Sequence, residues 1–371
     1  MPAKRNQVFC YLYALAIIMV IDDHCNTRIG LLSSVFPYNS FYMPLFVFAS
    51  GYFYKARGII DTVVHKVKKI LVPYIVFDIV MIIISYFIDF TFGLNWHREI
   101  SLDSINNMLI YAPTTDLNNP AWFAIMLFWV SVLYAVIRVF CPTKNRIVDH
   151  IIMGCTIAIG FVSIFICVHY PEYLYYYHPS VIFILRTLFY IQFYHLGYMF
   201  KEYYEPLLVR VRKGIVCTAC MLVNVVLIAI FGDSINFYST CVMNSFRYTV
   251  LPLVTSITGI IFYYEVMSFL SERIGENKII SFISRNTFVI MEVHLLFVNI
   301  PNLFIYNAIK HGSQAYGNFP VDQFLYSPGV RYSSNALLIG FFCGVIGSLS
   351  VAYIIEVIKR NLRSYKTAKT S

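Results

Sequence analysis

The sequence predicts an all-α polytopic membrane protein, a bundle of about ten transmembrane helices with both termini in the cytoplasm. Hydrophobic residues make up 59% of the 371 residues and charged residues only 13%, with a mean hydropathy of +0.67. A soluble domain has about 45–50% apolar and about 25% charged residues. A soluble enzyme could not hide so much apolar surface from water, and a disordered chain would have low hydrophobicity.

Ten runs of the length that crosses a bilayer, about 20 apolar residues, divide the chain. They cover residues 8–27, 41–58, 70–91, 120–140, 150–168, 180–200, 214–231, 247–270, 286–307 and 335–357. No small-residue cleavage site follows the basic N-terminus, so we expect the first run to be a retained span. We expect residues 1–371 to form a single integral-membrane domain.

The distribution of basic residues orients these spans. With a cytoplasmic N-terminus, most of the 28 Lys and Arg fall in cytoplasmic segments, and the outer segments carry only Arg28, Arg98, Arg247, Lys310 and Arg331. This bias predicts that both termini are cytoplasmic. The net charge of +9 then reflects topology, and no nucleic-acid partner is expected. The long outer loops 92–119 and 308–334 are predicted to be lids or binding elements.

The first span ends in a short polar sequence, Asp22-Asp23-His24. Ionisable residues inside spans usually face a bundle interior or a cavity. Histidine exchanges a proton near neutral pH and suits general-base work on a hydroxyl. The alternative is a solvated helix end. A metal held by His24, Cys25 and His294 lacks any close ligand spacing, so we expect no metal.

Five further segments follow the first span in a fixed order. They read FYMPLFVFASGYFYK (41–55), HKVKKILVPY (65–74), PAWF (120–123), FYHLGYMF (193–200), and IGEN (274–277) with NTFVIMEVH (286–294). With a histidine near the end of span 1, this set resembles the membrane acyltransferase-3 family, especially its sugar and polysaccharide O-acetyltransferase branch. The resemblance covers nearly the whole chain.

The resemblance implies an enzyme that moves an acetyl or other short acyl group from cytoplasmic acyl-CoA to a hydroxyl of a cell-surface glycan or its precursor. Acyl-CoA (acetyl-CoA) would be a co-substrate and not a bound cofactor. The expected partners are the glycan acceptor and the lipid bilayer of the plasma or inner membrane, with an unknown oligomeric state. His24 would be the catalytic base, and Asp23 or a backbone carbonyl would fix its tautomer.

Donor binding is predicted at four positions. Lys68 and Lys69 would hold CoA phosphates, although plain positive-inside topology also explains them. The family's basic residue eleven positions before the span-1 histidine is here Tyr13, which shares a helix face with His24; Arg5 matches the family's upstream Arg. Arg186 is the fourth candidate.

Three residues are predicted to bind the acceptor: Trp122, Glu292 and His294. Each residue has a structural alternative. Trp122 also suits an interfacial aromatic belt, and His294 suits a hydrogen-bonded packing role. Glu292, two positions from His294, should point to a different helix face.

Arg186 has a structural alternative of its own, a buried ion pair with Glu265, Asp78 or Glu292. A competing function is a glycan or small-solute transporter, in which Arg186, Glu265 and Glu292 would line a path. No pair of interrupted helices in matching halves supports a carrier.

Overall fold

The structure, a computed structural model, describes residues 6–27, 34–36, 40–141, 143–170, 179–235, 237, 240–241, 245–329 and 334–370. It is 81% helical, and no strand occurs within these ranges. The expected all-α polytopic fold is therefore confirmed. Arg5, Arg28 and Arg331 lie outside the described residues.

The first half of the chain contributes seven α-helices among the described residues. They are α1 (Gln7–Cys25), α2 (Tyr42–Tyr52), α3 (Ile59–Lys66), α4 (Val72–Phe92), α5 (Leu102–Ile110), α6 (Trp122–Phe140) and α7 (Arg146–His169).

The second half adds a further set of helices that differ widely in length. They are α8 (Pro179–Met199), α9 (Glu205–Leu208), α10 (Lys213–Phe231), α11 (Leu251–Ile274), α12 (Lys278–Arg285), α13 (Thr287–Val298), α14 (Ile300–Lys310), α15 (Val321–Tyr326) and α16 (Ser334–Thr370). The predicted span 286–307 is therefore two helices that meet at Asn299.

Two π-helical turns join consecutive helices. Val67–Leu71 connects α3 to α4, and Phe200–Tyr204 connects α8 to α9. Each turn is followed within two residues by a proline, Pro73 or Pro206. Proline has no N–H and its ring crowds the carbonyl four residues earlier, and we attribute the wider turn to this crowding.

Within the described residues, nine helical stretches are long and apolar enough to cross a membrane. The short α2 is not among them, because its 11 residues rise only about 16 Å. The predicted span 41–58 is therefore too long. Two hydrogen bonds place α2 antiparallel to α1: the Tyr42 hydroxyl donates to Asp23 Oδ2 (3.0 Å), and Asn6 donates to the Tyr52 hydroxyl (3.4 Å).

Helix α1 lies at the centre of the bundle. Most of its residues are buried, including Leu12, Ala16, Ile17 and Ile21. It packs against α2, α11, α12, α13 and α16. Because protein surrounds α1, its polar residues face other helices.

Glycines bring α2 and α8 into backbone contact. A β-carbon at Gly51 would fall on the carbonyl of Tyr194, and one at Gly197 would fall on the carbonyl of Phe48. Small residues allow this close approach between membrane helices. The sequence motifs around Gly51 and Gly197 thus share one packing role.

The loop predicted over residues 92–119 folds back into the bundle. The carboxylate of Asp78 accepts hydrogen bonds from the Thr114 amide (3.0 Å) and hydroxyl (2.7 Å). Asp78 lies fourteen residues before the end of α4, about 21 Å back along the helix. Non-helical backbone at such depth is tolerated where protein buries it. The segment that carries Thr114 is therefore a part of the bundle interior and not a peripheral loop.

Candidate active site

Two histidines meet in the interior of the bundle. His24 lies on the last turn of α1 and His294 lies on α13, and their ring centroids are 5.1 Å apart with an angle of 46° between the planes. His294 is fully buried and His24 is half-buried. The side of this pair that a substrate can reach is therefore formed by His24.

The backbone of α13 fixes the tautomer of His294. Its Nδ1 lies 3.1 Å from the carbonyl oxygen of Ile290 and 2.9 Å from that of Met291. Carbonyl oxygens only accept, so we assign the proton to Nδ1 and, in the neutral ring, the lone pair to Nε2. His294 therefore combines the hydrogen-bonded role with a place beside His24.

The acidic residues before His24 are held by neighbouring hydroxyl groups. Tyr42 donates to Asp23, as described above, and the hydroxyl of Thr27 donates to the carboxylate of Asp22. These bonds tie the end of α1 to α2 and to the following turn. The proposed role of Asp23 in orienting the His24 ring stays a prediction.

Glu292 faces away from His294, as its spacing predicts. Its Oε2 accepts from the Asn118 amide (3.2 Å), and both side chains are fully buried. Glu292 Oε1 and Asn118 Oδ1 have no hydrogen-bond partner among the described residues. These two buried oxygens can therefore accept hydrogen bonds from a ligand, such as one that carries hydroxyl groups.

Asn118 is a further candidate site residue, which the sequence did not point to. It lies in a 3₁₀ segment, Asp116–Ala121, which packs against α13 just before α6 begins. The sequence Asn118-Asn119-Pro120 signals only a turn. Nothing in the sequence indicates that this turn reaches the bundle interior.

Arg186 and Trp122 form a third cluster. The Arg186 guanidinium donates to the carbonyls of Thr240 (Nε, 2.5 Å) and Tyr111 (Nη1, 2.7 Å) and lies 4.5 Å from the centre of the Trp122 ring. Arg186 is 4% exposed and Trp122 8%. The alternative of an outward-facing aromatic belt for Trp122 is therefore wrong.

The ion-pair alternative for Arg186 is also wrong. No ion pair among the described residues links Arg186 to Glu265, Asp78 or Glu292. Asp78 instead accepts from Thr114, and Glu292 from Asn118.

A series of aromatic rings connects Tyr13 to Trp122. Tyr13 stacks on Phe46 (5.8 Å between centroids), Phe46 contacts Phe123 (5.8 Å), Phe123 contacts Tyr190 (6.4 Å), and Tyr190 contacts Trp122 (6.2 Å). Because α1 is unbroken, Tyr13 lies on the face of His24. These five rings form an aromatic wall that links Tyr13, predicted to bind the donor, to Trp122, predicted to bind the acceptor.

The basic loop lies apart from the histidines. Lys68 and Lys69 are exposed on the π turn. Lys68 lines an open groove with Arg57, Asp61, Val64 and His65, and Lys69 is not part of its lining. No group of three or more His, Cys, Asp or Glu that could hold a metal ion occurs among the described residues.

Comparison with known families identifies the class of protein. The family model described as an acyltransferase domain (Acyl_transf_3) matches residues 11–357. The chain therefore belongs to the acyltransferase-3 family, and it is a multi-pass membrane enzyme that transfers acyl groups other than aminoacyl groups. The transporter alternative is not supported. Neither a curated protein nor a solved structure matches the chain.

Proposed function

We propose that this enzyme moves an acetyl or other short acyl group from cytoplasmic acyl-CoA to a hydroxyl of a cell-surface glycan or its precursor, within the plasma or inner membrane. The observation that carries the proposal is the contact between His24 and His294 inside the bundle of an acyltransferase. A single domain, residues 1–371, would hold the donor site, the acceptor site and the base.

The proposed reaction needs one base. His24 takes the proton of the acceptor hydroxyl while its oxygen attacks the thioester carbon. The carbon–sulfur bond then breaks, CoA leaves as the thiolate, and the proton passes from His24 to that sulfur. His294 Nε2 would accept a hydrogen bond from a neighbouring hydroxyl of the acceptor, which would hold the reacting hydroxyl for attack.

In this proposal acyl-CoA enters at the open groove that Lys68 lines, which is the donor groove. Arg57 and Lys68 supply positive charge for the CoA phosphates, and the ring of His65 lines the groove beside them. The groove lies close to the amino end of α1, since Asn6 bonds Tyr52, five residues before Arg57. His24 is eighteen residues beyond Asn6, about 27 Å along α1. The acyl chain must therefore extend between helices, past Tyr13, to reach the base.

In this proposal the acceptor is held by Glu292 and Asn118, on the face of α13 that points away from His294, and by the aromatic wall. Glu292 Oε1 and Asn118 Oδ1 gain hydrogen bonds when sugar hydroxyls reach them, and burial without such donors costs free energy. Trp122 and Tyr190 offer flat apolar faces beside the same 3₁₀ segment. A polyhydroxylated ring matches this combination of acceptor oxygens and aromatic surface.

The test is transfer by purified protein in lipid nanodiscs. With radiolabelled acetyl-CoA and a panel of neutral and acidic oligosaccharides, we expect labelled acceptor and free CoA in equal amounts. The His24→Gln variant serves as the matched control. Absence of both transfer and acetyl-CoA hydrolysis in the intact protein would overturn the acetyl-CoA-to-glycan proposal.

A further inference from the structure

Among the described residues, two arginines are buried in the apolar core, and they differ in their partners. Arg138 on α6 donates to Asp149 (2.6 Å), and their side chains are 2% and 0% exposed. Arg186 on α8 has no carboxylate partner among the described residues. Arg138 is thus neutralised by a buried carboxylate, whereas no carboxylate of the described residues pairs with Arg186.

The contacts of Arg186 are with carbonyl groups and aromatic rings. A guanidinium has five N–H donors, and the carbonyls of Thr240 and Tyr111 accept from two nitrogens. Tyr111 interacts through its side chain as well, and none of these partners is a carboxylate. Aromatic faces of Trp122 and Tyr111 add cation–π attraction, but neither ring supplies a negative charge. A buried charge without a counter-ion is costly.

The geometry points to an oxyanion of the acceptor as the missing counter-ion: we infer that Arg186, beside the Trp122 ring, binds the carboxylate of an acidic sugar. This inference rests on the proposed glycan acceptor. The planar fork of a guanidinium matches a carboxylate in two parallel hydrogen bonds. The adjacent aromatic wall suits the apolar face of the sugar ring.

The position of Arg186 separates it from the proposed donor groove. Tyr198 lies twelve residues further along α8, about 18 Å, and accepts a hydrogen bond from the Lys144 amide in the basic loop after α6. Arg186 is therefore near the opposite end of α8, at the segments that carry Tyr111 and Thr240. An oxyanion bound there belongs to the acceptor and not to the CoA phosphates, so this inference replaces the donor role first predicted for Arg186.

Arg186 is also connected to the histidine pair. Trp122 begins α6 directly after the 3₁₀ segment that carries Asn118, and Asn118 bonds Glu292 on the helix of His294. A sugar anchored by its carboxylate at Arg186 would therefore lie along the segment that leads to α13. This arrangement selects acidic acceptors and orients one hydroxyl toward the base.

The test compares one acidic and one neutral acceptor that differ in a single group. The probes are a glucuronate-containing disaccharide and its carboxyl-reduced, glucose-containing counterpart, each assayed for acetyl transfer with the wild type, Arg186→Gln and Arg186→Lys. We expect the wild type to favour the acidic sugar in kcat/KM. Arg186→Gln should reduce that preference by about 10- to 100-fold, as expected for a lost charge-assisted hydrogen bond, and Arg186→Lys should retain part of it.

Binding gives a readout that does not depend on catalysis. The glucuronate disaccharide should raise the Tm of the wild type in nanodiscs and leave that of Arg186→Gln unchanged, even if no transfer occurs. Equal kcat/KM and equal stabilisation for both sugars in the wild type would overturn the inference. An increase in the KM for acetyl-CoA in Arg186→Gln, with the acceptor preference intact, would also overturn it and assign Arg186 to the donor.

Discussion

The rings of His24 and His294 lie 5.1 Å apart although they belong to the first and the thirteenth helix. His294 is anchored through Nδ1 to the carbonyls of its own helix and is fully buried, whereas His24 is half-buried. The pair thus has a fixed member and an accessible member. The accessible one is the residue that a substrate hydroxyl can meet.

The His24→Gln variant should lose acyl transfer by about 10²- to 10⁴-fold, the usual contribution of a general base. Glutamine keeps a hydrogen-bonding group of similar size but cannot act as a base. His24→Ala should be at least as inactive. The measurement is the rate of label transfer from radiolabelled acetyl-CoA, together with a size-exclusion profile that shows a folded protein.

The matched control for His24→Gln is His311→Gln. His311 is exposed, and its ring Nδ1 lies 2.8 Å from the carbonyl oxygen of Asn307, one turn earlier. It should transfer at the wild-type rate. Tyr13→Phe should do less harm than His24→Gln, because its hydroxyl at most positions the donor. Transfer by His24→Gln within a few-fold of the wild type would show that His24 is structural.

A double-mutant cycle tests whether the two histidines act on one acceptor molecule. His294→Asn retains a donor for the carbonyl of Ile290 but removes the imidazole. If His294 positions the hydroxyl that His24 deprotonates, the double variant with His24→Gln should be scarcely slower than His24→Gln alone. Multiplicative losses in kcat/KM would instead show independent roles and refute the assignment of His294 to the acceptor hydroxyl.

The α2–α8 contact predicts a stability effect of single methyl groups. Gly51→Ala and Gly197→Ala each place a β-carbon on a backbone carbonyl of the other helix, and overpacking typically costs about 1–3 kcal/mol. Both should lower Tm in detergent and reduce the yield of folded protein. Gly154→Ala is the control, because open space surrounds that position. Equal Tm values for all three variants would contradict the packing described here.

The fold class and the shared helix face of His24 and Tyr13 could be predicted from the sequence because both depend on local signals. Apolar runs define spans directly, and His24 and Tyr13 share a face through the regular rise of α1. The length of α2 was overestimated, since apolar residues continue past Tyr52 where the helix ends. Hydropathy measures lipid preference and does not locate such an end.

Other parts of the site depend on contacts between distant segments. Asn118 reaches Glu292 only because the segment after α5 folds back into the bundle, and its turn residues look like those of any surface loop. The surroundings of Arg186 are carbonyls of Tyr111 and Thr240, groups that every residue carries. No residue-type pattern could therefore reveal them.

The membrane orientation is a separate prediction, based on the basic residues of the sequence. Reporter fusions placed after Lys69 and after Ser371 should both report the cytoplasm. An alkaline phosphatase fusion is active outside and a fluorescent protein folds inside, so the two reporters give opposite readings at each site. An external signal at either position would contradict the topology and, with it, cytoplasmic access to the donor groove.

The donor groove predicts that Lys68 and Lys69 contribute unequally. Both are exposed on the π turn, but only Lys68 lines the groove with Arg57 and His65. Lys68→Gln should therefore raise the KM for acetyl-CoA severalfold, and Lys69→Gln should raise it less, because Lys69 acts only through longer-range charge attraction, which salt screens. The control is Lys359→Gln, an exposed position on α16 far along the chain from the groove, which should leave KM unchanged. The KM for acetyl-CoA is measured at low and at high salt. The increase caused by Lys69→Gln should vanish at high salt, whereas part of the increase caused by Lys68→Gln should persist. If neither variant alters the KM for acetyl-CoA, these lysines serve topology alone, and CoA must bind elsewhere.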